Sequence, residues 1–333
     1  DEVNQKVAER AELIRYIAIA LLARKNLFIL GGTGQAKSYA IDLFRKRIAG
    51  AKQFKRALSK GSDEEQLFGR LDLASLLPGG IPSAALQQDS TYWDLYRKAE
   101  AAHEAFERNR SDESYIALQE AAISLGQYRQ VLGKLHQNLP SVITTGKIPE
   151  SHIVFLDEIF KANDGLLNSL LTALNEREYT NEGTTIRIPA ISFFAASNEI
   201  PNFSDPAESI LRPLYDRFEL KVVTQYVQDR GARLAMLAAK QSEEEDVPQA
   251  SIALEELSAM QEEAAQVRVP VAVNEVMDDI LCQLRRKGIQ VSDRKYFGFA
   301  PIVQAQAWLE GRSEVLVPDL LILSAYLWNT VEE

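Results

Sequence analysis

The sequence predicts an α/β fold built on a parallel sheet, followed by a smaller all-helical domain. Three observations carry that expectation. Short, nearly continuous apolar runs stand at 26–30, 152–156 and 190–196 (NLFIL, HIVFL and AISFFAA), the pattern of strands covered on both faces. Helix-spaced segments at 7–23, 37–49 and 165–178 alternate with them, which implies βαβ units. Beyond about residue 226 strand signals fade and helical spacing runs on to residue 333.

Two further strands are expected at 53–59 and 218–223, where apolar and polar residues alternate only in part. The α/β domain is thus expected over 1–227 and the helical one over 228–333, the latter holding an acidic polar loop at 241–248. Residues 82–139 have a different character. Trp93, Tyr96, Ala99, His103 and Phe106 recur at helical spacing, as do Leu118, Ala122, Leu125, Leu132, Leu135 and Leu139, with a polar turn at 108–113 between them. A helical hairpin inserted into the α/β domain is expected there, with Tyr92, Trp93 and Tyr96 in its core.

Composition narrows the class. Hydrophobic residues at 46% and charged residues at 25% suit a soluble globular chain. The apolar stretch 13–22 carries Arg15 and is too short to cross a bilayer. No basic, apolar leader opens the sequence. The one cysteine, Cys282, leaves no internal disulfide and reads as a core or near-surface thiol. A cytoplasmic location is expected from these features. The formal charge of −10 counts against broad nucleic-acid coating. His103, His136 and His152 are isolated, and no metal-ligand cluster or Ser-His-Asp arrangement stands out.

The chemistry concentrates at strand ends. Gly31-Gly32-Thr33-Gly34-Gln35-Ala36-Lys37-Ser38 follows the run NLFIL and precedes a helix, in a frame close to the P-loop. Glycines let backbone N–H groups curl toward phosphate oxygens, and the helix N-terminus adds its positive end. Lys37 would reach the β- and γ-phosphates, and the Ser38 hydroxyl would bind Mg²⁺. Ala36 stands where the pattern has its last glycine. Downstream, the apolar run IVFL ends in Asp157-Glu158. Adjacent acids at the tip of a buried strand imply a polar site at the sheet's C-terminal edge. Asp157 would hold Mg²⁺ and Glu158 would polarise the attacking water; the plainer reading is a pair that starts the next helix. Asn198 ends the run ISFFAAS and would orient that water; the plainer reading is a turn-forming Asn.

Taken in order, GGTGQAKS, IVFLDEIFKANDGLLNSLLTALNERE, FFAASNEIP, LYDRF and VSDRK resemble the MoxR-type AAA+ ATPases, and within them most nearly the regulatory ATPase variant A group, which shares an alanine at the position of Ala36. The resemblance covers about 7–80 and 140–330. It implies a P-loop AAA+ sheet flanked by helices, a helical lid, bound ATP and Mg²⁺, and a homo-oligomeric, hexameric ring with ATP between subunits. Arg217 of LYDRF would be the arginine finger reaching the neighbour's γ-phosphate, with Arg212 a rival. Arg294 of VSDRK would be the second sensor, touching phosphates from its own subunit. The bland readings are a surface salt-bridge residue for Arg217 and a helix-start residue for Arg294. Segment 175–188 matches a hairpin turned by Glu182-Gly183, facing the pore or substrate, and 69–80 with 141–148 would border a second inserted element.

Hydrolysis used for chaperone-like remodelling or maturation of a partner complex is the expected function, the partner being a separate chain with a von Willebrand factor A domain. A nucleotide-gated assembly protein with slow turnover is the alternative, although such a switch would not need Glu158. A nucleic-acid motor is a third reading, disfavoured by the acidic balance.

Overall fold

The three apolar runs and the two partly alternating segments become one five-stranded parallel sheet in the computed structural model, which describes residues 3, 7, 9–32, 37–77, 80–136, 141–181, 184–241, 248, 250–289 and 291–330. The strands are β1 (Leu27–Leu30), β2 (Gln53–Ala57), β3 (Ile153–Asp157), β4 (Ser192–Ser197) and β5 (Leu220–Val223), in the spatial order β5-β1-β4-β3-β2. Leu27 pairs with Leu220 on one side and Phe194 on the other; Ile153 pairs with Ser192 and Gln53. Burial follows position. β4 is buried along its whole length and β3 up to Asp157. The polar β2 (QFKRA) lies at the edge, which explains its partial alternation.

The longer helices are α1 (Ala11–Leu22), α2 (Lys37–Lys46), α3 (Ser90–Arg108), α4 (Asp112–Leu135), α5 (Asp164–Glu176), α6 (Arg230–Gln241), α7 (Leu254–Gln266), α8 (Val271–Arg286) and α9 (Ala300–Leu309). The chain divides into two compact units, one of residues 1–64, 146–179 and 187–333, the other of 65–145 and 180–186.

In the first unit the helical C-terminal region and the sheet share one core. Tyr16, Ile17, Ala20 and Leu21 of α1 pack with Leu257, Met277, Ile302, Val303 and Tyr326. Each leucine, isoleucine, valine or methionine among them contributes about 1.5–3 kcal/mol through burial. Polar bonds fix the register of this packing. Arg15 Nε donates to Gln306 Oε1 (2.8 Å), Gln261 Nε2 to the Leu21 carbonyl (2.7 Å) and Tyr16 Oη to the Ile322 carbonyl (3.0 Å). A two-residue parallel pairing, Ile48–Ala49 with Ile252–Ala253, also forms. It is too short to leave a periodic signal in the sequence. The acidic loop expected at 241–248 has residues 242–247 outside the described residues.

In the second unit α3 and α4 form the expected hairpin, but in a different phase. The buried or half-buried positions are 92, 95, 99, 102 and 106 on α3 and 114, 118, 121, 125, 128 and 132 on α4, with Gly133 buried beside the last of them. That three-and-four spacing is a heptad seam, so the two helices pack as an antiparallel coiled coil. Tyr92, Leu95, Ala99, Ala102 and Phe106 face Ser114, Leu118, Ala121, Leu125, Tyr128 and Leu132. Trp93 (41% exposed) and Tyr96 (38%) lie outside the seam, as do His103, Ala122 and Leu135; Leu139 is outside the described residues. The large aromatics had suggested the wrong stripe, because alanines occupy the middle of the seam where the helices approach closely. Asp89 caps α3, accepting from the Tyr92 amide (2.8 Å), and also accepts from Tyr128 Oη (2.9 Å) at the hairpin's base. A short antiparallel pairing of Arg70–Leu71 with Val142–Ile143 closes the segments that border the insertion.

Residues Glu178–Asn181 and Thr184–Arg187 pair as the expected ribbon, with its turn at Glu182 and Gly183 outside the described residues. Among the described residues, no helix is long and apolar enough to cross a membrane.

Candidate active site

Parallel pairing brings the C-terminal ends of β1, β4 and β3 side by side. The Gly31 amide donates to the Ser197 carbonyl (3.1 Å), extending the β1–β4 ladder by one step. Gly31 is buried and Gly32 half-buried; Thr33, Gly34, Gln35 and Ala36 lie outside the described residues. Lys37 and Ser38 open α2, with Ser38 half-buried.

Lys37 is 8% exposed, and its ammonium donates to the Gly31 carbonyl (2.6 Å), the Ser197 carbonyl (3.4 Å) and Asn198 Oδ1 (3.4 Å). Burial holds its pKa below the usual lysine value, while Asp157 and Glu158 act in the opposite direction. Asn198 uses its other side, Nδ2, to donate to Glu158 Oε1 (2.9 Å). Glu158 Oε2 pairs with Lys161 Nζ at 3.3 Å. Four of the expected residues, Lys37, Asp157, Glu158 and Asn198, therefore form one connected group.

Glu158 adopts a left-handed backbone, φ 53° and ψ 46°, which costs a non-glycine residue about 1–2 kcal/mol. The turn swings the chain out of β3 after Asp157, whose Oδ1 accepts from the Glu158 amide (3.0 Å). The two acids thus leave the strand tip in different directions. Such strained backbone is common where side-chain aim matters. The plainer reading holds in part: Glu158 stands at the N-cap position of the short 3-10 helix Ile159–Lys161 but makes no side-chain cap bond there, and α5 is capped by Asn163, which accepts from the Leu166 amide (3.0 Å).

Arg217 and Arg294 are near enough for their charges to interact. Arg217 follows the short helix Arg212–Tyr215, on which Arg212 is exposed. Burial lowers the Arg217 pKa first, the Arg294 charge lowers it further, and Asp216 and Glu219 oppose both. The Arg217 Nε is buried and has no hydrogen-bond partner among the described residues. Arg294 is exposed on the turn Asp293–Phe297, which Ser292 caps by accepting from the Lys295 amide (3.3 Å). Asn329 ties the two elements: its carbonyl accepts from Tyr215 Oη (2.7 Å) and its Oδ1 from Lys295 Nζ (2.8 Å).

Three features were not legible in the sequence. Lys161 engages the second acid. A cavity of about 320 Å³ is lined by Arg10, Leu13, Val222, Thr224, Gln225 and Tyr226, among others. It adjoins β1, since the Thr224 amide donates to the Leu30 carbonyl (2.7 Å), and Arg10 Nη2 donates to the Gln225 carbonyl (2.5 Å) across it. Arg177, which ends α5 in a left-handed conformation (φ 56°), is drawn down to about 10 by burial, with Glu219 acting against that shift.

A lysine ammonium among carbonyl oxygens, with two carboxylates beside it, suits a polyanion brought in with a divalent cation. The Ser38 hydroxyl and the Asp157 carboxylate are hard oxygen donors of the kind Mg²⁺ takes.

The family described as the MoxR domain in the MoxR-vWA-beta-propeller ternary systems matches residues 1–86 and 130–262, and an AAA lid domain matches 272–333. Two proteins of Methanocaldococcus jannaschii, the uncharacterized proteins MJ0079 and MJ0812, are 28% and 29% identical over the whole of this chain and over 70% and 71% of their own lengths. A crystal structure described as a putative ATPase from Cytophaga hutchinsonii superposes with a TM-score of 0.65 at 14% identity, over 99% of this chain and 84% of that one. The parallel five-stranded sheet flanked by helices, followed by a helical lid, is the AAA+ fold.

Proposed function

Because the chain belongs to the MoxR-domain family of the MoxR-vWA-beta-propeller ternary systems, we propose that it binds Mg·ATP at the ends of β1, β3 and β4 and hydrolyses it. The observation that carries this reading is the bonded series Lys37–Asn198–Glu158 beside Asp157. Lys37 holds the β- and γ-phosphates, and Asn198 and Glu158 orient and polarise the attacking water. Mg²⁺, held by Ser38 and Asp157, offsets the charge on the phosphates. The cavity beside β1, lined in part by Thr224, Gln225, Tyr226 and Gln228, takes the adenine base.

The ring is part of the same proposal. Arg217, cationic and without an acceptor for its Nε, suits a finger that completes the pocket of the next subunit in a homo-oligomeric, hexameric ring. The nearness of Arg294 to Arg217 favours a second reading of the sensor. It would act with the finger on the neighbour's phosphates rather than on those of its own subunit. The work done is chaperone-like remodelling or maturation of a partner complex. The family description supports a separate partner with a von Willebrand factor A domain. Kinship with the regulatory ATPase variant A group rests on the ordered motifs from GGTGQAKS to VSDRK, with Ala36 in keeping, and a cytoplasmic location on the lack of paired cysteines.

The test is Mg-dependent turnover per chain as protein concentration rises. A steep rise to a plateau is expected, together with recovery of activity when inactive Arg217→Ala and Lys37→Ala chains are mixed. Mixed interfaces then join an intact pocket to an intact finger. No recovery on mixing, in rings shown to exchange subunits, overturns the trans assignment. Bound ATP with no turnover at any concentration favours the nucleotide-gated assembly reading.

A further inference from the structure

Asn26, just before β1, is 3% exposed and bonded at every polar group. Its amide donates to Glu219 Oε2 (3.0 Å), and its carbonyl accepts from the Leu220 amide (3.1 Å). Its Nδ2 donates to the Arg217 carbonyl (3.0 Å) and, at 3.5 Å, to the Leu174 carbonyl. Its Oδ1 accepts from Arg177 Nη2 (2.7 Å) and from the Phe193 amide (3.3 Å). Arg177 in turn donates from Nη1 to the Leu174 carbonyl (2.7 Å) and lies over the Phe193 ring at 4.7 Å. The Arg177 carbonyl accepts from the Ile188 amide (2.7 Å), closing the base of the ribbon that starts at Glu178.

One side-chain amide therefore stands between a cation at the end of α5 and the backbone of Arg217. An asparagine amide is symmetric in shape but not in hydrogen bonding. With the guanidinium on Oδ1, Nδ2 must face the Arg217 carbonyl. Without it, the amide loses its charge-assisted bond and is held only by the weaker neutral bonds to the Phe193 amide and to the carbonyls of Arg217 and Leu174, so the backbone at Arg217 is fixed less tightly. We propose that Arg177 is a positioning residue for Arg217, acting through Asn26. It fixes the backbone from which the finger extends and touches no nucleotide itself. The proposal rests on the reading of Arg217 as a finger that acts in trans.

That geometry allows a test that separates aim from fold. A donor chain carrying Glu158→Gln keeps its finger and has a dead pocket. An acceptor chain carrying Arg217→Ala keeps its pocket and has no finger. In a mixture, only acceptor pockets served by donor fingers turn over. Arg177→Gly leaves the left-handed helix end at ease, since glycine is the residue preferred there; Arg177→Lys is the second variant, should the first not fold. Placed on the donor, either variant is expected to lower turnover of the mixture by about tenfold or more with KM unchanged. Placed on the acceptor, it leaves the rate within about twofold, since the acceptor has no finger to position. Equal loss on both chains marks Arg177 as a general structural residue and overturns the proposal, and so does no loss on either. A silent parent mixture beside an active wild-type ring overturns the trans finger itself, and the proposal with it.

Discussion

Glu158→Gln separates the chemistry of this site from its architecture. The glutamine amide oxygen can accept from Asn198 Nδ2 as Oε1 does now at 2.9 Å, and the left-handed backbone at 158 is unchanged. The interactions lost are the ion pair with Lys161 at 3.3 Å, whose lysine is 57% exposed, and the charge attraction to Lys37. The exposed pair is worth about 0–1 kcal/mol, and Asp157 still attracts Lys37, so unfolding in urea should shift by little more than that. Turnover should respond very differently. An amide cannot take a proton from the attacking water, and loss of a general base lowers the rate by about 10²–10⁴. That corresponds to about 2.7–5.4 kcal/mol at 1.36 kcal/mol per decade. Single-turnover hydrolysis of labelled ATP, with bound nucleotide recovered after rapid gel filtration, measures both halves. ATP should remain bound and uncleaved. Turnover within about threefold of wild type refutes the role given to Glu158. A stability loss above about 2 kcal/mol refutes the claim that the Asn198 bond survives.

Three other outcomes are expected. Lys37→Ala should abolish ATP binding by titration calorimetry. Lys37 also makes affinity pH-dependent. Its pKa in the free protein lies below 10.5 and bound phosphate favours the charged form, so affinity should fall as pH rises through that depressed value; Lys37→Arg, charged throughout, should remove the slope. His152 accepts from the Lys52 amide at Nδ1 (3.0 Å), and burial, then the Lys52 charge, holds its pKa below 6.5. The folded state thus binds fewer protons than the unfolded one, so stability is full above 6.5 and is lost as pH falls through that value toward the folded pKa; His152→Gln should flatten urea midpoints measured across this range. At Gly298 an added Cβ would meet Tyr326 Oη at 2.7 Å and the Arg294 carbonyl at 2.8 Å, and Tyr326 is anchored to the Lys295 carbonyl (2.9 Å). Gly298→Ala should cost about 1–3 kcal/mol in thermal unfolding, and an unchanged midpoint would show that the Arg294 turn yields freely.

Much of the fold was legible because the information is local. Each core strand is a short apolar run, and each group of acids or glycines stands where such a run ends. Once those strands are parallel, their chemistry converges, as Lys37, Asp157, Glu158 and Asn198 do. What was not legible depends on residues far apart in sequence. Nothing near Asn26 announces that its amide joins residues 177 and 217. The nearness of Arg217 and Arg294 is set by tertiary packing through Asn329. The hairpin's seam was legible only in part, for a different reason. Its helices and the seam residues Ala99, Phe106, Leu118, Leu125 and Leu132 were evident, but bulky Trp93 and Tyr96 outweighed Leu95 and Ala102 as signals of the buried stripe.

That hairpin has a bearing on descent. The family match stops at residue 86 and resumes at 130, and α3 and α4 occupy the interval. Because the helices run antiparallel, the chain leaves and returns at one place, where Asp89 meets Tyr128 and Tyr92 packs with Leu132. A segment whose ends meet can be acquired or discarded in a single genetic event, with no change of register elsewhere. Its outer surface can therefore change without touching α2, which begins at Lys37, or the turn after β3 that holds Glu158.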